Sequence, residues 1–130
     1  MSNQTELAAA SEYISDVMWE AEDAHYRDVP YEWDQAIHGR VYALWDVSRA
    51  FSELGQTNAN PTRAQILDAI AVVQAPLEAR YAATPNSDHL DLGGRIFVLR
   101  EVSAGIEAGR HLEPRARPKG VEPKGPRVSD

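Results

Sequence analysis

The sequence predicts an all-α protein: an antiparallel four-helix bundle followed by an extended, proline-rich basic tail. Three observations carry that prediction. Apolar residues recur at spacings of three and four over four separate stretches, which is the period of a helix face. Helix-stopping residues separate the stretches, at Pro30, at 55–61 and at 83–88. Residues 110–130 are too rich in proline and glycine to bury a core and favour extended or polyproline-like backbone.

The first helix is marked by Leu7, Ala10, Ile14, Val17, Ala21 and Ala24, a single stripe widened by Tyr13 and Met18. Glu6, Glu12, Asp16, Glu20, Glu22 and Asp23 fall off the stripe and face water. Thr5 is the expected N-cap, with Glu6 favourable beside the helix N-terminus. Pro30 ends the segment, because it pushes Val29 out of the α region.

The second helix is expected from about Tyr31 to Leu54, with Ile37, Val41, Leu44, Ser48 and Phe51 as its stripe and Gly55 as the left-handed residue that closes it. Tyr42 and Trp45 lie on a second face. This helix is therefore either central to the bundle or shows an apolar patch to a partner. Asn60 and Pro61 are the expected cap and first residue of the third helix, which carries Leu67, Ile70, Val73, Leu77 and Tyr81. Pro76 interrupts it and costs about 3 kcal/mol in a helix interior, so a kink is expected there.

The fourth helix, from His89 to about Ala108, carries Leu92, Ile96, Leu99, Val102 and Ile106, with Ser87 or Asp88 as cap and Gly109 as its closing residue. Gly93-Gly94 costs about 2 kcal/mol relative to alanine, so a break with a restart at Arg95 is the alternative. Short loops favour up-down-up-down packing around one core.

Charge divides the chain in two. Residues 1–109 hold seven arginines and seventeen acids, net −10. Residues 110–130 carry Arg110, Arg115, Arg117, Lys119, Lys124 and Arg127 against Glu113, Glu122 and Asp130, net +3. The expected organisation is thus an acidic helical body over 1–109 and a basic tail over 110–130. Within the tail Pro-Lys-Gly occurs twice, at 118–120 and 123–125. An acidic body repels phosphate, so nucleic acid is an unfavourable partner except through the tail. No apolar run approaches the roughly 20 residues of a membrane span. The start, MSNQTELAAASEY, lacks the pattern of a signal peptide, so the expected location is the cytoplasm or a particle assembled there. The absence of cysteine excludes disulfides, thiolate zinc sites and cysteine nucleophiles.

Residues that bear chemistry are few. Glu22 and His25 stand three apart on the first helix, and Asp34 and His38 four apart on the second. Each pair shares a helix face, and an antiparallel hairpin turning at Pro30 would bring the four together, enough to suggest a divalent transition metal. A second pair, Asp88-His89, reads as a cap and a first-turn residue. A magnesium site of the all-α pyrophosphatase kind would need carboxylates facing Glu20, Glu22 and Asp23, but only Asp34 and Asp46 are offered, at unhelpful spacing. No serine sits in a nucleophile elbow, and there is no phosphate-binding loop. Arg40 and Arg49 read as salt partners for acids of the first helix.

The aromatics point elsewhere. Trp19, Tyr26, Tyr31 and Trp33 flank Pro30, and Trp45 lies further along. Tyrosine and tryptophan are enriched at binding hot spots. The functional expectation is therefore a non-enzymatic protein–protein interaction module: an adaptor, accessory subunit, inhibitor or particle-assembly component, including phage-encoded ones. It would dock on another protein, or on a second copy of itself, through Trp19, Tyr26, Tyr31, Trp33 and Trp45 and through the tail cations Arg115, Arg117, Lys119, Lys124 and Arg127. The alternative is a metal-binding protein or metalloenzyme using Glu22, His25, Asp34 and His38.

Overall fold

The fold is seen in a computed structural model that describes the backbone of residues 5–25, 31–83 and 90–113 and the side chains of 5–21, 36–83 and 91–113. Four helices run in chain order: α1 Glu6–His25, α2 Tyr31–Thr57, α3 Arg63–Ala83 and α4 Leu90–Glu107. A short 3₁₀ turn, Arg110–Leu112, follows. The described residues contain no strand, as the helix-period stripes require.

Contacts between distant residues fix the directions. The end of α2 meets the start of α1 at Gly55 and Leu7. Tyr13 lies over Gly105, while Glu6 meets His111. On α3 and α4, Glu78 pairs with Arg100. Glu6 also reaches Arg63 at the start of α3. The starts of α1 and α3 therefore lie with the ends of α2 and α4, and each sequential pair is antiparallel, as up-down-up-down packing demands. α2 packs on all three other helices, and most extensively on α4. Of the two readings of its second apolar face, the central position is the one realised.

The core follows the expected stripes on α1, α2 and α4. On α3, Ile66 and Ile70 are the buried pair, Leu67, Val73 and Leu77 are only partly buried, and Tyr81 at the end of the expected stripe is exposed. Ile14, Leu44, Phe51, Ile66, Ile70, Leu99 and Ile106 are fully buried, each favouring the fold by about 1.5–3 kcal/mol through apolar burial. Tyr13, Val17 and Met18 of α1 and Val98 and Val102 of α4 complete one continuous cluster. α3 contributes least, since only Ile66 and Ile70 of that helix are buried.

The helix ends show where local signals were read correctly and where they were not. Thr5 caps α1 as expected, its Oγ1 accepting from the Ala8 N–H at 3.0 Å. Gly109 closes α4 with φ +84, the left-handed conformation that favours glycine. α3 is not capped by Asn60. Thr62 Oγ1 accepts from the Gln65 N–H at 3.2 Å, and Gln65 Oε1 accepts from the Thr62 N–H at 2.9 Å. This is a reciprocal capping box, and Pro61 sits buried before it rather than inside the helix. α2 passes Gly55 and ends at Thr57. Gly55 lies inside the helix against α1, where a Cβ would stand 3.2 Å from Leu7 Cδ2, a contact that a small shift of the leucine relieves.

The two interruptions expected in the later helices are carried inside them. α3 is helical through Pro76, from Arg63 to Ala83. Pro76 is exposed, so the lost N–H bond falls on the solvent side, where water compensates the freed carbonyl. α4 is helical through Gly93 and Gly94, so the break before Arg95 does not form. The reason is the crossing with α2. A Cβ on Gly94 would overlap the Ala36 carbonyl, and a Cβ on Gly39 would overlap the Asp91 carbonyl. The two glycines let the backbones approach, and the packing gained outweighs their poor helix propensity.

The body also extends further than the charge pattern suggested. Arg110–Leu112 packs on α1 and α4, and the His111 side chain is fully buried. The first residues assigned to the tail therefore belong to the folded part. The cap expected at Ser87 or Asp88 lies outside the described residues, as do the tail residues 114–130.

Candidate functional site

Two polar or aromatic features stand out from the bundle, one at each end. The first joins the starts of α1 and α3 to the end of the folded chain. Glu6 Oε1 accepts from His111 Nε2 at 2.7 Å and from Arg63 Nε at 3.1 Å, while Oε2 accepts from an Arg63 terminal nitrogen at 3.3 Å. The Arg63 fork and then the His111 ring hold the Glu6 carboxyl below its ordinary value. His111 Nδ1 is buried without a hydrogen-bond partner. Its geometry is that of a clasp, tying the starts of α1 and α3 to the end of the folded chain.

The second feature is an open depression of about 280 Å³ between the C-terminal half of α3 and the N-terminal half of α4, lined by Glu78, Tyr81, Gly93, Ile96, Phe97 and Arg100. Phe97 is 61 % exposed and Tyr81 46 %, unusual values for large rings on a small bundle. Gly93 faces open space, and nothing stands within 4 Å of where its Cβ would be. One edge is polar: Glu78 pairs with Arg100 and accepts from Gln74 Nε2 at 2.8 Å. Arg100, then Gln74, hold its carboxyl below the ordinary range. On the far side, Arg40 of α2 lies 5.7 Å from the Phe97 ring centre and 3.5 Å from Glu101. Arg40 thus pairs with an acid of α4. The volume falls short of the about 300–1,000 Å³ of clefts that enclose small-molecule ligands. It suits one or two side chains of a docking partner.

Local charge sets this face apart. α1 carries Glu6, Glu12, Asp16, Glu20, Glu22 and Asp23 and no lysine or arginine. α3 and α4 carry Arg63, Arg80, Arg95 and Arg100 against Asp68, Glu78, Asp91, Glu101 and Glu107. The groove is therefore close to neutral on an acidic molecule.

The aromatic residues expected to bind are only partly placed. Trp19 is half-buried on α1. Trp45 packs against the core, with its indole Nε1 buried and without a hydrogen-bond partner. The side chains of Tyr26, Tyr31 and Trp33 lie outside the described residues, as do Glu22, His25 and Asp34 of the expected metal set. The fourth member, His38, is half-buried and edge-on to Tyr42, its ring centre 4.6 Å away. Among the described residues, no group of three or more histidines and carboxylates is positioned to hold a metal, and no helix is long and apolar enough to cross a membrane.

Sequence reasoning missed Phe97 as a surface residue. Phe97 was not singled out, yet it lies one position off the stripe set by Ile96, Leu99 and Val102. That offset was the available signal. Comparison with known proteins gives no match to a family model, a curated protein or a solved structure.

Proposed function

We propose that this protein is a non-enzymatic protein–protein interaction module that docks through its aromatic helical surface and its basic tail. The observation that carries the reading is the α3–α4 groove: two large exposed rings around a shallow depression, bordered by paired charges and nearly neutral overall. Aromatic anchors ringed by polar groups are the usual makeup of an interface hot spot. Trp19, Tyr26, Tyr31, Trp33 and Trp45 extend the aromatic supply in sequence, and the tail cations Arg115, Arg117, Lys119, Lys124 and Arg127 add attraction for an acidic partner. Among the described residues the most elaborate polar cluster, Glu6 with Arg63 and His111, joins the starts of α1 and α3 to the end of the folded chain, which favours a structural role for that cluster.

A photo-crosslinking residue at position 97, in extract from the native host, tests the reading. A discrete adduct is expected, competed by excess unlabelled wild-type protein but not by unlabelled Phe97→Asp. No discrete adduct, or equal competition by both, overturns it.

A further inference from the structure

We infer that Pro123-Lys124-Gly125-Pro126-Arg127 docks in cis onto the α3–α4 groove, its two prolines against Phe97 and Tyr81 and Arg127 beside Glu78, so that the tail shields the surface a partner must reach. The inference rests on the groove being a docking surface and names what occupies it before a partner arrives.

The chemistry is that of proline recognition. A polyproline-type helix has three residues per turn, so prolines three apart share one face. Exposed aromatic rings lining a groove accept such a face because the ordered segment loses little entropy on binding. Phe97 and Tyr81 supply the rings, and Gly93 leaves the floor open. Of the two Pro-Lys-Gly copies, only the second has a proline three residues after its first, at Pro126 rather than Val121. Only there does a cation, Arg127, follow directly. Glu78 waits at the groove edge, and a carboxylate has acceptor capacity beyond its bonds to Arg100 and Gln74.

Reach allows it. The described chain ends at Glu113, just past the C-terminal end of α4. Phe97 lies ten residues back along α4 from Glu107, about 15 Å at 1.5 Å per residue. The ten residues from Glu113 to Pro123 span about 31 Å in polyproline geometry, enough to double back along the helix.

The cysteine-free chain makes the test direct. A nitroxide on Val128→Cys of the full-length protein reports which amides the tail approaches. The expected result is strong relaxation broadening of the Gly93, Phe97 and Arg100 amides when label and isotope are on one chain. Broadening is absent when spin-labelled and isotope-labelled chains are separate molecules, and it is lost in Pro123→Ala/Pro126→Ala. No broadening on α4, broadening that persists without the two prolines, or broadening between separate chains, meaning exchange of tails between copies, overturns the cis inference. The crosslink at position 97 separates the two readings. An adduct without tail broadening sinks the tail seat and leaves the docking surface standing. Tail broadening without an adduct does the reverse. With both present, Pro123→Ala/Pro126→Ala raises adduct yield, because a partner no longer competes with the tail for the free fraction.

Discussion

At the scale of single residues, Glu6 is the most consequential polar group in the described structure. It begins α1, where a negative charge is favoured by the helix N-terminus, and it also receives Arg63 from α3 and His111 from the chain's end. Its carboxyl is held below the ordinary value, first by Arg63 and then by His111. A carboxylate with a depressed folded-state value contributes stability that is present above its unfolded value and lost as pH falls through the folded one. Glu6→Gln should therefore cost about 1–2 kcal/mol near neutral pH. The gap to wild type should close as the solution is acidified below the folded-state value. Chemical denaturation at a series of pH values measures this, and a gap that stays constant with pH would show the carboxylate charge to be irrelevant. The cluster was not legible in the sequence. His111 lies 105 residues from Glu6, and no periodicity links a first-turn acid to a histidine in a proline-rich stretch. By contrast, the Thr62–Gln65 box was written in the sequence as Thr-Arg-Ala-Gln. It was passed over because Asn60-Pro61 offered a more familiar start two residues earlier.

At the scale of elements, the stripes of α1 and α2 were legible because burial on one face repeats at helix spacing. Misreadings arose where a tertiary contact overrode a local preference. Gly94 is the clearest instance. Propensity alone argues for a break, whereas the α2 backbone at Ala36 occupies the space a side chain would need. The two adjacent glycines thus differ in kind, and substitution should separate them. Gly94→Ala must push α2 and α4 apart, costing about 1–3 kcal/mol or more. Gly93→Ala meets nothing within 4 Å and should stabilise α4 by about 0.5–1 kcal/mol. Thermal unfolding of the two variants decides the matter, and equal effects would mean the crossing is looser than the structure has it. Pro76 gives a third comparison on α3. It is exposed within the helix, so Pro76→Ala restores a backbone bond without disturbing the core. It should raise the stability by about 1–3 kcal/mol. A lower unfolding temperature would instead show that α3 packs only in the shape proline imposes.

At the scale of the whole molecule, two divisions of the chain compete. The charge division falls at Gly109, where an acidic stretch gives way to a basic one. The packing division falls later, because the turn Arg110–Leu112 lies against α1 and α4 with His111 buried. Charge is a property of composition and is visible residue by residue. Packing at the end of a chain depends on what the fold presents there, in this case the Glu6 and Arg63 side chains at the start of two other helices. The left-handed Gly109 is the hinge between the two descriptions, since it ends α4 and turns the following residues onto α1. Truncation tests which division governs folding. A chain ending at Glu113 keeps the clasp and should unfold at nearly the wild-type temperature. A chain ending at Gly109 removes His111 from its buried site and leaves Glu6 with Arg63 alone. Loss of a buried, charge-assisted contact with its packing should cost about 2 kcal/mol, or roughly 8 °C in a domain of this size. Matching unfolding temperatures for the two truncated chains would place the structural boundary at Gly109 with the charge boundary. A drop confined to the shorter chain places it after the buried histidine, and makes the start of the basic tail a part of the fold that holds α1 and α3 together.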